Sequence, residues 1–267
     1  MDRLHLERLL QSVADGNLTV EAALASLQKR LLAPERALEL DFARPDLQRA
    51  WRQSFPEVVF APGKSSEQIF QIALELRQAH DVVLASRAEA EQARSVLLLA
   101  QEQGLSDVKY HQSAAVISFG VFPQVERGSE DAAEVAVLTG GTVDIPVAEE
   151  ALVVLESAGI SCRRYFDMGV AGLHRLLGVL DSVRKSRVVL VVAGMDGALP
   201  SVVCGLVGVP VIAVPTAAGY GTGLGGLAAL ASMLNTCAPG LTVVNIDNGL
   251  GAAAFAIRVL RGVPEPA

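Results

Sequence analysis

The sequence predicts an α/β protein with a three-layer, doubly wound parallel sheet in its C-terminal part and a smaller α/β domain before it. Between residues 188 and 248, short β-branched runs alternate with longer Ala- and Leu-rich segments, a pattern typical of parallel strands joined by crossover helices. Apolar residues make up 51% of the chain and charged residues 19%, which suits a sheet covered on both faces. Each predicted strand of this stretch ends in a glycine-rich loop.

The chain is predicted to begin with a helical hairpin over residues 1–32. Its two helices join at Asp15-Gly16-Asn17, and Thr19 is a candidate N-cap of the second helix. We interpret the hairpin as a packing or dimerisation element.

A small α/β domain follows, and together with the hairpin it forms the predicted domain 1–128. Ser65 and Gln68 have the spacing of a capping box and predict a helix that ends near His80. The other predicted elements are strands at 57–60, 81–85, 109–110 and 115–119 and a helix at 87–103.

Residues 129–267 are predicted to form the second domain, in which strands and helices alternate. The predicted strands are 134–138, 160–166, 187–193, 209–214 and 241–245, and the predicted helices include 145–158, 170–182 and one that starts at Gly249. Ligands of such sheets bind beyond the carboxyl ends of the strands. We therefore expect a polar rim there that includes Asp196, Thr216, Tyr220, Thr222 and Asp247.

A double glycine follows the first strand of this domain. Gly140 and Gly141 imply close backbone approach, and their N–H groups can face an anion at the start of the next helix. Thr142 adds a hydroxyl group, while Asp144 can either cap the helix or bind a ribose hydroxyl.

Two further loops carry charged candidates. His174 and Arg175 follow a Gly-x-x-Gly sequence and form a candidate anion site, with a structural role as the alternative. Asp196 lies between glycines in an otherwise apolar stretch. A partly buried carboxylate there tends toward a raised pKa and suits proton transfer, and a helix cap is the alternative.

The loop after the fourth strand contains a GxGxxG sequence, Gly221–Gly226, and Asp247 follows 21 residues later. This spacing is that of a dinucleotide-dehydrogenase fingerprint. Two features argue against it: several residues separate the strand from the first glycine, and the sequence follows the fourth strand of the domain instead of the first.

The three cysteines lie far apart, without the spacing of a zinc site or a disulfide framework. Cys162 is predicted in a strand and Cys204 in an apolar helix, so both are expected to pack in the core. Cys237 lies at a predicted helix end among polar residues and is the candidate reactive thiol.

Composition limits the partners. A net charge of −7 without a basic stripe argues against nucleic acid. Glycines and prolines divide the uncharged tract 197–245 into pieces too short to span a membrane, and no signal peptide is visible, so we expect a soluble cytoplasmic protein. The apolar surplus, with a mean hydropathy of +0.39, predicts surface buried between subunits.

Several segments together resemble a known family. The C-terminal ones resemble the PurE family of aminoimidazole ribonucleotide carboxylases and mutases, with its flavodoxin-like sheet. The whole set is most similar to the LarB family, carboxylase/hydrolases of nickel-pincer cofactor (lactate racemase) synthesis. The segments are PEVVFAPGKSSEQ (56–68), GGTVDIPVAEEA (140–151), GVAGLHRLL (169–177), VAGMDGALPSVV (192–203), PTAAGYGTGLGGLAALASMLNTCAPG (215–240) and VVNIDNGLGA (243–252).

The resemblance implies a reaction on nicotinic acid adenine dinucleotide. The pyridinium C5 is carboxylated with CO2 or bicarbonate and the phosphoanhydride is hydrolysed, giving pyridinium-3,5-biscarboxylic acid mononucleotide and AMP. Cys237 would be the nucleophile that adds to the ring, and Asp196 the base that removes the C5 proton. It further implies Mg2+ at the pyrophosphate, no redox cofactor, and a homo-oligomer, for which the octamers of PurE-like domains are the precedent.

The expected substrate-binding residues lie in the same four loops. They are Gly140, Gly141, Thr142, Asp144, His174, Arg175, Gly194, Met195, Gly197, Gly219, Tyr220, Gly221, Thr222 and Gly223. Two positions depart from the family pattern: Asp196 stands where the family usually has Glu, and Val143 where many relatives carry a hydroxyl residue.

Two other functions remain open at this point. A PurE-type enzyme acting on aminoimidazole ribonucleotide would not need a reactive Cys237. A nucleotide-binding sensor would use the same loops without turnover, and its thiol would be unreactive.

Overall fold

A computed structural model of the protein describes residues 3–31, 40–124 and 133–262. The chain divides into two units, one made of Met1–Tyr110 and Val116–Val121 and the other of His111–Ala115 and Phe122–Ala267. The predicted domain boundary at residue 128 lies between 125 and 132, outside the described residues, and stays a prediction.

The first unit begins with a helical hairpin, as predicted. Its helices are α1 (Arg3–Ala14) and α2 (Val20–Leu31). Thr19 caps the second helix, because its Oγ1 accepts a hydrogen bond of 3.2 Å from the Ala22 N–H. The predicted end at residue 32 lies outside the described residues.

A four-stranded mixed sheet completes the first unit, with the order β1-β2-β4-β3. Strands β1 and β2 are parallel, and β2 and β4 are antiparallel. The capping box at Ser65 and Gln68 is present at the start of α4, as predicted. The elements are α3 (Arg49–Gln53), β1 (Val58–Phe60), α4 (Ser66–Arg77), β2 (Val83–Ser86), α5 (Ala90–Glu102), β3 (Val108–His111) and β4 (Val116–Phe119).

The second unit contains a five-stranded sheet whose neighbouring strands are all parallel, with the order β6-β5-β7-β8-β9. This is the predicted doubly wound, flavodoxin-like arrangement. Its elements are β5 (Val135–Thr139), α6 (Ile145–Ser157), β6 (Cys162–Tyr165), α7 (Leu173–Val183), β7 (Val188–Ala193), α8 (Leu199–Cys204), β8 (Val211–Pro215), α9 (Leu227–Leu234), β9 (Leu241–Val243) and α10 (Gly249–Arg261).

Several element boundaries differ from the prediction by one to three residues, and two of them lie next to loops of the second unit. Helix α7 starts at Leu173, because Val170–Gly172 form a separate 3-10 turn. Strand β9 ends at Val243, although the Val244 N–H still donates to the Ala213 carbonyl oxygen of β8 at 3.1 Å.

Helices cover both faces of this sheet. On one face α7, α8 and α9 pack against the strands through a cluster that includes Leu176, Val203 and Met233. Helices α6 and α10 contact each other and the strands on the other face. Strands β5, β7 and β8 are buried along their whole length, which explains their uninterrupted apolar sequences.

The position of β5 between β6 and β7 decides where a ligand can bind. The connection after β5 leads to β6 on one side of β5, whereas β7, β8 and β9 lie on its other side. The loops that follow β5 and β7 therefore run in opposite directions at the carboxyl ends of these two strands. Among the residues that the structure describes, no helix combines the length and the apolar character needed to cross a membrane.

Candidate functional site

The polar rim lies where expected, at the carboxyl ends of β5, β7 and β8. Three loops are joined there by short contacts, and we call residues 139–144, 193–197 and 215–218 the anchored loops. The next part of the chain, residues 220–225, is called the open segment. The two parts differ in their contacts and are described in turn.

The double-glycine loop after β5 lies against its neighbours. The Gly140 N–H donates to the Val192 carbonyl oxygen at 2.9 Å, and the Met168 N–H donates to the Thr139 carbonyl oxygen at 2.8 Å. A Cβ at Gly169 would lie 2.6 Å from the Gly140 carbonyl oxygen. The loops after β5 and β6 therefore meet at a distance that only glycine allows at position 169.

Asp144 connects the anchored loops. It is only 5% exposed. Its Oδ2 accepts the Gly141 N–H at 2.9 Å and its Oδ1 accepts the Thr216 hydroxyl at 2.6 Å, and the nearby Gly194 N–H also favours its charged form, which lowers its pKa. Burial raises the pKa of Asp144, and these hydrogen bonds partly offset the rise. The expected cap is not formed, because the Asp144 side chain accepts no N–H of α6 and instead accepts the Gly141 N–H in the turn before it.

Asp196 occupies the tip of a tight turn. The Gly197 N–H donates to the Gly194 carbonyl oxygen at 3.0 Å, so Met195 and Asp196 are the two central residues. The prediction that Asp196 is partly buried is wrong, because the turn projects from the sheet and exposes this side chain. Its Oδ1 accepts the Ala198 N–H at 3.2 Å, but Ala198 is itself the N-cap residue of α8, so Asp196 does not cap that helix.

The open segment has few contacts. The Gly223 N–H donates to the Tyr220 carbonyl oxygen at 3.2 Å, and Tyr220 itself is 82% exposed. Residues Gly221–Gly226 form two 3-10 turns separated by a kink at Leu224 and Gly225. A dinucleotide fingerprint requires a tight turn that leads directly from strand to α-helix, so this geometry argues against a dehydrogenase.

His174 and Arg175 start α7 at the edge of the rim. His174 is exposed, as is Thr142 in the double-glycine loop. The Arg175 guanidinium pairs with the Asp167 carboxylate, and its Nη2 lies 3.5 Å from the Gly169 carbonyl oxygen. Its buried Nε has no partner in the described chain and is available to an acceptor such as a phosphate oxygen.

Cys237 lies on the flank of this unit, in the loop between α9 and β9. Three contacts with α8 and the residues before it locate the chain that leads from the rim to Cys237. Gly197 lies against Ala229, the Ser201 hydroxyl donates to Thr236 Oγ1 at 2.9 Å, and Cys204 Sγ lies 3.5 Å from the Pro239 carbonyl oxygen. Leu241 then pairs with Val211, the first residue of β8. Cys237 therefore lies below the rim, between the levels of Ser201 and Cys204 of α8.

The three cysteine thiols differ in their exposure to solvent. Cys237 is exposed, whereas Cys162 and Cys204 are partly buried. Burial raises the pKa of the Cys162 and Cys204 thiols, which disfavours their nucleophilic thiolate forms. This agrees with the expected packing roles of these two cysteines.

Sequence reasoning missed the role of Asp167 and the partner of Thr216. Asp167, which has a positive φ of 60°, orients Arg175. Thr216 was expected on the rim, but its bond to a carboxylate 72 residues earlier has no local sequence signal. Gly169 carried a detectable signal, because a glycine in the loop after a strand can mark close backbone approach.

A resident metal site is not evident in the part of the chain that the structure describes, where no three His, Cys, Asp or Glu side chains cluster. Mg2+ bound to nucleotides commonly takes one or two carboxylates and completes its shell with phosphate oxygens and water.

Comparisons with known proteins match both parts of the chain. The family described as LarB/PurE-like N-terminal domain matches residues 37–120, and the AIR carboxylase family matches residues 134–264. An uncharacterized protein of Methanocaldococcus jannaschii (MJ0165) is 38% identical over 213 residues, which cover 79% of this chain and 81% of that protein.

Two named relatives match the C-terminal part. The N5-carboxyaminoimidazole ribonucleotide mutase of Methanocaldococcus jannaschii is 34% identical over 131 residues, 47% of this chain and 78% of the mutase. The mutase of the same name from Pyrococcus horikoshii is 28% identical over 138 residues, 49% of this chain and 74% of the mutase.

Proposed function

This chain belongs to the family that joins a LarB/PurE-like N-terminal domain to an AIR carboxylase domain, and we propose that it carboxylates and hydrolyses a pyridine dinucleotide. Its relatives indicate a PurE-like enzyme of the carboxylase family. The proposed substrate is nicotinic acid adenine dinucleotide, with CO2 or bicarbonate as co-substrate. The proposed products are pyridinium-3,5-biscarboxylic acid mononucleotide and AMP, for nickel-pincer cofactor synthesis.

The exposed thiol of Cys237 is the observation that carries the proposal. A pyridinium ring is electron-poor and does not attack CO2. Addition of the Cys237 thiolate at C4 forms a C–S bond and turns the ring into a dihydropyridine whose C5 is nucleophilic. A PurE-type reaction has no use for such a thiol.

Carboxylation is then redox-neutral. The C5 carbon bonds to CO2, and Asp196 takes the C5 proton. The electron pair of that C–H bond restores the aromatic ring as the C–S pair leaves with the thiolate. The exposure of Asp196 on a rim turn, next to glycine backbone, supports this assignment because a flat ring can approach it.

Water cleaves the phosphoanhydride in the second step. The exposed Thr142 of the double-glycine loop and the partly exposed Arg175 guanidinium are the proposed phosphate contacts, since the Gly140 and Gly141 N–H groups already donate within the protein. We further propose that Mg2+ arrives with the pyrophosphate, where it would neutralise phosphate charge.

Cys237 lies below the rim that carries Asp196, and we propose that a second copy of the chain completes the site. In the proposed reaction the two groups must reach adjacent ring carbons. Helix α9, which leads to Cys237, carries no charge and exposes an apolar stripe that includes Leu227 and Leu234, the latter 66% exposed. Such a stripe is typical of a subunit interface, so the proposed assembly is a homo-oligomer such as an octamer, in which one copy supplies the thiol and another the carboxylate.

Mass spectrometry of the intact protein with nicotinic acid adenine dinucleotide and bicarbonate tests this proposal. The wild type should release AMP and the carboxylated mononucleotide and should carry a trappable adduct on Cys237. Cys237→Ala should give no adduct, and Cys162→Ala, which removes a partly buried thiol, should behave as the wild type. The absence of adduct and AMP with the wild type would overturn the proposal.

Mixed oligomers test the shared site. Cys237→Ala and Asp196→Asn should each be inactive alone, and co-assembled in equal amounts they should recover about a quarter of wild-type turnover, because one site in four combines both intact residues. Failure of verified mixed oligomers to recover turnover would show that both residues act within one chain.

A PurE-type mutase is the second candidate. The 34% identity to a named N5-carboxyaminoimidazole ribonucleotide mutase favours it. Turnover of N5-carboxyaminoimidazole ribonucleotide that is unaffected by Cys237→Ala would select this function.

A further inference from the structure

Asp144 is placed to control the geometry of the rim. It lies at the start of α6, accepts hydrogen bonds from the Gly141 N–H and the Thr216 hydroxyl, and has the Gly194 N–H nearby. All three groups are donors, which is the environment of an ionised carboxylate, since a protonated carboxyl would need an acceptor. One buried group thus connects the ends of β5, β7 and β8.

The interaction of Asp144 with the Gly194 N–H involves the turn that carries Asp196. Gly194 is the first residue of that turn, and the next residue, Met195, donates its N–H to the Ala218 carbonyl oxygen at 3.0 Å. Met195 has a φ of 54°, a conformation that a non-glycine side chain adopts at a cost. The contacts on both sides of the turn hold it in this conformation and so fix the direction of Asp196.

The bond from Thr216 acts on the adjacent loop. The Thr216 N–H donates to the Ala193 carbonyl oxygen at 3.1 Å, and its hydroxyl is directed to Asp144 at 2.6 Å. Two residues after Thr216, the Ala218 carbonyl oxygen accepts the Met195 N–H. Asp144 therefore supports the Asp196 turn from both sides, directly through Gly194 and indirectly through Thr216.

We infer that Asp144 is the positioning residue of this site: it binds no reacting atom, and it holds the Asp196 turn in place through Gly194 and Thr216. This inference rests on the proposed function, in which Asp196 is the base. It differs from the expected contact with a ribose hydroxyl, because a carboxylate that is 5% exposed and engaged at both oxygens has little surface left for a ligand.

Comparison of Asp144→Asn with Glu150→Gln tests the inference. Glu150 is a second buried carboxylate on α6, and it accepts the Leu250 N–H at 3.1 Å, away from the Asp196 turn. Both variants replace a buried acid by its amide. Only Asp144→Asn removes an acceptor from the anchored loops and directs amide hydrogens toward their donors.

Two measurements are made on each protein. Amide hydrogen exchange of the free oligomer should be at least about tenfold faster over 193–197 and 216–218 in Asp144→Asn, and unchanged there in Glu150→Gln. With the dinucleotide, kcat of Asp144→Asn should fall about 100-fold while KM stays within about threefold, because base placement is lost and ground-state binding is kept.

Thr216 provides a second route if Asp144→Asn does not fold. Thr216→Val keeps the shape and removes the hydroxyl, and it should raise exchange and lower kcat in the same direction. Thr216→Ser keeps the hydroxyl and should lie closer to the wild type. Equal behaviour of the Val and Ser variants would overturn the inference.

Two outcomes with Asp144→Asn would also overturn it. Unchanged exchange over the anchored loops would show that Asp144 does not hold them. A rise in KM with kcat preserved would identify Asp144 as a substrate ligand. Wild-type protein without turnover would remove the proposed reaction, and the exchange measurement alone would then decide whether Asp144 holds the rim.

Discussion

The anchored loops and the open segment are both rich in glycine, yet their glycines have different neighbours. A Cβ at Gly194 would overlap the Ala218 carbonyl oxygen and lie 2.6 Å from Thr216 Oγ1, and one at Gly197 would lie 2.7 Å from the Ala229 carbonyl oxygen. A Cβ at Gly221, Gly223 or Gly225 would meet nothing within 4 Å. In the first region glycine permits close packing, and in the second it leaves the backbone free.

The difference indicates how the rim divides its tasks. Backbone atoms in close contact hold a fixed geometry, which the proposed general-base role of Asp196 requires. A segment with few contacts can change conformation at low cost, which suits a part of the site that adapts to a large ligand. Tyr220 is the exposed aromatic residue of that segment.

Alanine substitutions in the two regions should give the largest contrast. Gly194→Ala should lower the free energy of unfolding by about 3 kcal/mol, because the Ala218 backbone must move and its bond to Met195 is lost. Gly223→Ala should leave it unchanged or raise it by up to about 1 kcal/mol, because alanine restricts the unfolded chain. Urea unfolding measures both. Equal losses in the two variants would remove the distinction between the regions.

The alternation of strands and helices was predictable because it depends on local periodicity, and with it the location of the rim. The partners of Asp144 were not, because Thr216 and Gly194 come from other strands and no local spacing relates them to it. The exposure of Asp196 depends on the direction of a turn, which its glycines do not reveal.

The position of Cys237 could have been predicted more fully than it was. A residue that follows a helix and precedes a parallel strand lies toward the amino edge of the sheet. The alternation of elements therefore places Cys237 below the loops that follow the strands. The proposed site shared between copies follows from this placement.

The pH dependence of the free energy of unfolding should sharpen the contrast, because it reports on one titratable group of the anchored loops, the Asp144 carboxyl. Burial raises the folded-state pKa of Asp144 above its ordinary value, and the nearby Asp247 carboxylate adds to the rise. At pH values between the ordinary pKa and the raised folded-state pKa, Asp144 keeps its proton in the folded state and has lost it in the unfolded state. Raising the pH through this window therefore lowers the free energy of unfolding.

Asp144→Asn lacks this titration. The wild type should lose stability relative to the variant as the pH rises through the window, and the difference should be constant above it. Thermal unfolding of both proteins over a pH series measures it, with Glu150→Gln as a second buried-acid variant. A wild type that gains stability relative to Asp144→Asn over the same window would contradict the raised pKa.

The smallest expected effect tests whether the open segment is as unconstrained as its contacts indicate. Leu224 has a φ of 47° and is 70% exposed, so its side chain contributes little packing to offset an unfavourable backbone conformation. Leu224→Gly relieves that conformation and also increases the entropy of the unfolded chain, and the two effects should cancel to within about 0.5 kcal/mol. Leu177→Gly, at a comparably exposed position inside α7, should cost about 1 kcal/mol. A loss at Leu224 as large as that at Leu177 would mean that contacts of its side chain hold the open segment in place, and the segment would then belong with the anchored loops.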